Sequence, residues 1–294
     1  MTISFILMFF GFAVKVPVFP LHTWLPDAHV EAPTPVSVML AGVLLKMGTY
    51  ALLRFNFTML SDTAMANAGI IVAFGVFSVI YGALLALAQQ DLKRIVAYSS
   101  ISSMGYVIVG LVAFTPHGIG GATFQMVSHG LISGLMFMAV GVMYNETHTR
   151  MVGDISGIAD RMPWTVGIFL AAAFGYMGLP FMSGFAAEYL VFLGSFGSPH
   201  IPLAPVATAI AMFGIVVVAG YLLWAMQRTL FGEYSLATDY DVSRAPVHDV
   251  IPLVVLLVLV IALGSAPGLV YQMIQEATAP LVPEMTALGG EFLW

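Results

Sequence analysis

The stretch at residues 12–50, FAVKVPVFPLHTWLPDAHVEAPTPVSVMLAGVLLKMGTY, decides how the rest of the chain is read. It sets Lys15 and Lys46 in apolar helical sequence, with His22, Asp27, His29 and Glu31 in the loop between them. A charge at bilayer depth costs roughly 3 kcal/mol on insertion scales, so such residues are seldom kept without a use. The apolar segment around Lys46 runs from about residue 34 to 57. That places the lysine roughly 17 Å from either end, beyond the reach of a stem of about 6 Å. Lys46 is therefore not expected to snorkel to water. Lys15 differs, because Pro17 and Pro20 break the helix just beyond it and a broken end offers freed carbonyls to a cation. An interfacial anchor is the plainer account of Lys15.

Working outward, 60% of the 294 residues are hydrophobic and only 8% charged, with a mean hydropathy of +0.97. A soluble domain carries about a quarter charged residues. The chain is read as an all-α, polytopic transmembrane helix bundle, since apolar runs of about 20 residues mark helical spans rather than barrel strands. Eight are expected, at about 2–20, 34–57, 66–89, 95–114, 120–144, 164–195, 203–230 and 249–274. With no cysteine present, disulfides, thiolate metal sites and iron–sulfur ligation by this chain are excluded. The net charge of −6 is spread over loops without a basic run, which points away from nucleic acid. The first 20 residues lack a basic n-region and a small-residue cleavage site, and are read as a working span.

Loop charge sets an expected orientation. If successive loops alternate sides, the odd ones hold Lys93, Arg94, Arg150, Arg161, Arg228 and Arg244, while the even ones hold only Arg54. The excess places the odd loops in the cytoplasm and both termini on the outer side.

Within the spans, polar residues line up on helix faces. Gly42, Lys46, Thr49, Tyr50 and Leu53 recur at three and four residues in the second. In the fourth, Tyr98, Ser102 and Tyr106 form one stripe and Ser99 with Ser103 a neighbouring one. These hydroxyls would either carry a water chain or bond back to their own helix carbonyls. In the fifth, Gln125, His129 and Ser133 repeat every four residues, and an imidazole so flanked suits a proton relay. In the sixth, Gly175, Gly178, Pro180 and Gly184 predict an interrupted helix, with Glu188 just beyond and no cation beside it in sequence. Its partner is expected on another span. Lys15 beside Pro17 and Glu188 after Pro180 thus form a pair of broken helices five spans apart, as in inverted-repeat transporters. The charges of QQDLKR at residues 89–94 read most simply as solvated, and Tyr221, Trp224 and Arg228 as interfacial anchors.

Four blocks carry a family resemblance: KVPVFPLHTWLPDAHVEAPTPVSVMLAGVLLKMGTYALLRF, QQDLKRIVAYSSISSMGY, FQMVSHGLISGLMFMAVGVMYNETHTR and GLPFMSGFAAEYLVFLGSF. They resemble the antiporter-like membrane subunits of respiratory complex I, nearest the subunit M branch. The resemblance implies a fold of inverted five-helix repeats. Residues 1–60 would be the last two helices of a first repeat, 61–235 a complete second repeat, and 236–294 a final helix and tail. Carried over by position, Lys15 resembles the lysine of the first broken helix, Lys46 the central-axis lysine, His129 the relay histidine and Glu188 the exit carboxylate. Gln125, Ser133, Ser99, Ser103, Tyr98 and Ser102 would be supporting polar groups.

Two departures stand out. The family often has a histidine where this sequence reads Ser103, and its glutamate that pairs with the Lys15 position lies on a span preceding those present here. The implied activity is that of a non-redox subunit of a proton-translocating NADH:quinone oxidoreductase in a prokaryotic cell membrane. Its partners would be other membrane-arm subunits, with flavin, iron–sulfur clusters and quinone held elsewhere in the complex. One alternative is a subunit of a multisubunit sodium/proton antiporter, which resembles other pump subunits in carrying lysine at the place of Glu188. Another is a passive anchor in a hydrogenase-like complex, in which neutralising the four ionisable residues would be silent.

Overall fold

The computed structural model describes residues 1–238, 240 and 242–281. Its helices in chain order are α1 (Thr2–Lys15), α2 (Trp24–Glu31), α3 (Thr34–Met59), α4 (Ala68–Leu87), α5 (Leu92–Val112) and α6 (Pro116–Thr147). They continue with α7 (Pro163–Tyr176), α8 (Ser183–Phe196), α9 (Ala204–Leu230), α10 (Val247–Ser265) and α11 (Gly268–Thr278). Six of them, α3, α4, α5, α6, α9 and α10, are long and apolar enough to cross a membrane. The other two expected spans are built from shorter pieces. The first is α1, of 14 residues, and the sixth is the pair α7 and α8, parted at residues 177–182.

Three expectations need correction. The segment after Lys15 is not a plain loop, because Trp24–Glu31 forms a helix whose Leu25 is buried with Leu40 and Leu45 of α3 and Ile101 of α5. The last span does not run unbroken to residue 274. It stops at Ser265 and restarts as α11 beyond Pro267, since a proline disfavours helical geometry in the residue before it. The charges at residues 89–94 are not simply solvated. Asp91 and Lys93 are buried, and Asp91 caps α5 by accepting from the Lys93 and Arg94 amides.

The least apolar spans sit at the centre. The serine-rich α5 is buried along nearly its whole length and packs on α4, α6, α8 and α9, whereas α10 buries only Leu253 and Val260. In lipid, apolar surface gives helices no reason to pair, so close packing and polar contacts decide which come together.

The loops alternate between two ends. At one, Arg94 pairs with Asp27 at 2.9 Å, Arg150 pairs with Asp91 at 2.5 Å, and Lys93 Nζ donates to the Ala32 carbonyl at 2.8 Å. Ile155–Ser156 and Ser235–Leu236 form a short antiparallel ladder there. At the other, Thr115 Oγ1 donates to the Gly194 carbonyl at 2.9 Å and Ser198 Oγ to the Ala113 carbonyl at 2.7 Å. The odd loops therefore do gather at one end, as alternation requires.

Candidate functional site

Lys46 lies on α3 between two π-helical turns, Leu40–Leu44 and Leu52–Met59. Such turns break the regular i to i−4 register and are frequent at functional sites. Here the Ala41 carbonyl accepts from Lys46 Nζ at 2.5 Å. One turn earlier, Gly42 faces Gly130 of α6, and a Cβ built on Gly130 would stand 2.8 Å from the Gly42 carbonyl. Only glycine allows that approach. It brings Lys46 Nζ to 2.5 Å from His129 Nδ1.

The chain of contacts continues beyond the ring. His129 Nε2 lies 3.2 Å from the Tyr176 hydroxyl, at the end of α7 where the sixth span breaks. Ser99, Ser100 and Ser133 lie near that hydroxyl, their own hydroxyls bonded to helix carbonyls. Ser99 also lies near Tyr221 of α9 without a hydrogen bond to it. Tyr221 is fully buried, which corrects its assignment as an interfacial anchor; Trp224 and Arg228, 4.9 Å apart in a cation–π contact, fit that role better.

Glu188 sits on α8 beside the break. A Cβ added at Gly178, whose φ is +66°, would stand 2.8 Å from its Oε2, so the carboxyl lies over a backbone that only glycine adopts without strain. Glu188 is 5% exposed, and its Oε2 has no hydrogen-bond partner among the described residues. Among the described residues no cation from another span pairs with Glu188; the groups that bear on it are the hydroxyls of Tyr106 and Tyr221. Ser102 Oγ, Tyr106 Oη, Gln125 Oε1 and Tyr221 Oη are likewise buried and unpartnered among the described residues. Leaving one such group dry costs about 1–3 kcal/mol, and buried polar atoms of this kind hold ordered water.

The two outcomes weighed for the fourth-span hydroxyls both occur. Ser99 and Ser100 bond back to the Val96 carbonyl at 2.7 and 3.1 Å, while Ser102 and Tyr106 do not. Ser103 is buried, and Tyr98 is partly buried against α2. Lys15 ends α1 with its side chain exposed; its stem packs where a Cβ on Gly48 would fall. The carbonyl freed at its break is taken by Trp24 Nε1, which donates to Val14 at 2.9 Å. Lys46 and His129 are thus brought into contact, no hydrogen bond among the described residues joins Glu188 to them, and Lys15 stands at the edge. Tyr176 and Tyr221 were not singled out for this role by the sequence. The one local signal was a tyrosine immediately before a Met-Gly-Leu-Pro break.

The sequence and the fold both have counterparts among known proteins. Residues 1–226 match the family described as "NADH:quinone oxidoreductase/Mrp antiporter, TM". The chain belongs to this family. "NADH-quinone oxidoreductase subunit M" of Rhodobacter capsulatus is a family relative 42% identical over 287 residues, which is 96% of this chain and 54% of the relative. "NAD(P)H-quinone oxidoreductase chain 4 1" of Synechococcus elongatus is 42% identical over 276 residues, 94% of this chain and 52% of that protein. A chain in the respiratory complex I of Thermus thermophilus with bound NADH superimposes with a TM-score of 0.84 at 30% identity, covering 95% of this chain and 58% of its own length. A chain of the Mrp complex from Dietzia sp. DQ12-45-1b gives a TM-score of 0.88 at 21% identity over 98% of this chain and 60% of that one, a likeness of fold alone. The resemblance read from the four sequence blocks therefore holds. The chain spans about half the length of the curated relatives it matches.

Proposed function

We propose that this chain supplies the proton path of a membrane subunit in a redox-driven NADH:quinone oxidoreductase of the complex I type. Electron transfer, with its flavin, iron–sulfur clusters and quinone, belongs to partner subunits, among them further antiporter-like ones. The observation that carries this reading is the unbroken contact from Lys46 through His129 to Tyr176. The names of relatives about 40% identical support the quinone oxidoreductase over the antiporter alternative.

In this reading Lys46 exchanges protons with His129, whose two nitrogens pass them toward the Tyr176 hydroxyl and the serines around it. The unpartnered hydroxyls of Tyr106 and Tyr221 take water and continue the path to Glu188. Lys15 gates Lys46 through its charge, its stem lying against Gly48 two residues beyond. Residues 1–60 close a first repeat, 61–235 form the second with its broken helix α7/α8, and 236–294 end the chain; residues 282–294 of that tail lie outside the described residues. The end holding six of the seven loop cations faces the cytoplasm of a prokaryotic cell, so the N-terminus faces outward. The outward C-terminus expected from sequence falls on residues outside those described.

Lys46→Met keeps the length of the side chain and removes its charge. The assembled complex carrying it is expected to transfer electrons without moving protons into reconstituted vesicles. Pumping at the wild-type ratio by an assembled Lys46→Met complex would remove this residue from the path and overturn the relay.

A further inference from the structure

The last span buries little of itself, yet its C-terminal end is seated on the break that carries Glu188. In α10 only Leu253 and Val260 are buried. Gly264, one residue from the end of that helix, lies against the backbone of the break. A Cβ built on it would overlap the Phe181 carbonyl oxygen and the Met182 carbonyl carbon, and would stand 2.6 Å from Met182 Cα. These are main-chain atoms, which cannot swing aside as the tip of a side chain can. Glycine alone permits so close an approach of two backbones.

Phe181 needs such a contact. It is a non-glycine residue with a φ of +71°, and its side chain is 72% exposed, so its own packing does not hold that conformation. A left-handed residue of this kind persists where its surroundings impose it. The Met182 amide closes the turn from one side by donating to the Leu179 carbonyl at 3.1 Å, and α10 closes it from the other. Beyond Pro267 the chain turns into α11, whose Val270 and Ile274 join Ala186, Ala187 and Leu190 in one apolar cluster around the turn that bears Glu188. Tyr271 fixes α11 in place. Its Oη lies 3.0 Å from His117 Nδ1, and its ring fills the space where a Cβ on Gly120 would stand 2.8 Å away.

We infer that Gly264 is a positioning residue for Glu188. By admitting α10 to the backbone of the break it fixes where α8 begins, and so where the carboxyl stands over Gly178. This rests on the proposed path that ends at Glu188. No bond changes at Gly264 itself; the proton exchanged at Glu188 is only as well placed as the half-helix that carries it.

The test is Gly264→Ala in the assembled complex, measured beside Glu188→Gln and beside Gly220→Ala of α9, where an added Cβ meets nothing within 4 Å. The methyl group at 264 must push Phe181 and Met182 back by about 1 Å, and a misplacement of that size can cost about 10²-fold, so protons pumped per electron should fall at least about tenfold. Gly220→Ala should keep the wild-type ratio. The pH profile of pumping should move in Gly264→Ala and not in Gly220→Ala, because the surroundings of a carboxyl set where it titrates. Pumping at the wild-type ratio by Gly264→Ala, together with loss in Glu188→Gln, would overturn the positioning alone. A lower ratio with an unmoved pH profile would make Gly264 a packing residue and overturn it too. Pumping at the wild-type ratio by Glu188→Gln would overturn the path and the positioning with it. Should Gly264→Ala fail to assemble, a cryo-EM map of the wild-type complex decides: Gly264 in contact with the Phe181 carbonyl supports the inference, and a gap wide enough for a methyl group overturns it.

Discussion

Tyr176 places a single hydroxyl 3.2 Å from His129 Nε2, with Ser99, Ser100 and Ser133 near it. Tyr176→Phe removes that one oxygen and little else. If protons pass through it, pumping in the assembled complex should fall by about tenfold, and thermal stability should change by only about 1–3 kcal/mol for the imidazole nitrogen left unpaired. A pumping rate equal to wild type would mean that protons leave His129 by another route. At this scale the sequence exposes ionisable groups and conceals neutral ones. Lys46, His129 and Glu188 stand out because a charge in apolar sequence is expensive. Tyrosine carries no such penalty and is common near membrane interfaces, so Tyr176 and Tyr221 were indistinguishable from anchors until the helices around them were placed. The contact between Lys46 and His129, which are 83 residues apart, was likewise not legible from either span alone.

Among the elements, the crossing of α3 and α6 at Gly42 and Gly130 sets the relay's geometry. Gly130→Leu puts a Cβ where the Gly42 carbonyl allows 2.8 Å, so the helices must part. Overpacking of this kind costs about 1–3 kcal/mol, and because the Lys46–His129 contact opens with it, pumping should drop well below the fraction of complex still assembled. Assembly by native gel and pumping in vesicles, measured on one preparation, separate the two effects. The charged end offers a different test. Arg150→Ala leaves Asp91 without its ion pair at the N-terminus of α5, and the side chain is 26% exposed, so about 1–3 kcal/mol is expected rather than the larger cost of a fully buried pair. Limited proteolysis should then cut faster near residues 148–154; unchanged cleavage would mean that the pair does not hold that loop. The broken sixth span was readable from Gly178 and Pro180 because those residues have few other uses inside a helix. Helix α2 was not, since eight residues bounded by prolines read as loop chemistry and form a helix only against the buried faces of α3 and α5. The π-turns around Lys46 left no mark that the spacing of residues 40–59 revealed.

For the whole molecule, alternation of loops between two ends followed from counting spans, and the contacts of Arg94 with Asp27 and of Arg150 with Asp91 agree with it. Which spans are central was not read from the sequence, although the two least apolar, α5 and α6, are the most buried. With no native cysteine to compete, a single cysteine at the exposed Asp160 should be labelled by an impermeant maleimide from the cytoplasmic side, and one at the exposed Asp62 from the other. Labelling of both from one side would contradict the orientation. Lys15 is exposed and pairs with no carboxylate among the described residues, so the purified chain alone in liposomes should give no proton flux. The central claim, that protons travel to a titrating carboxyl at Glu188, is tested most directly by proton-pumping rates of Glu188→Gln and Glu188→Asp, normalised to assembled complex. Gln copies the shape of the protonated acid but cannot titrate, while Asp titrates with an intrinsic pKa of about 3.9 against about 4.3 for Glu. The relay predicts that Glu188→Gln stops pumping and Glu188→Asp keeps part of it. A scaffold role predicts the reverse order, and pumping retained in Glu188→Gln but lost in Glu188→Asp would contradict the account.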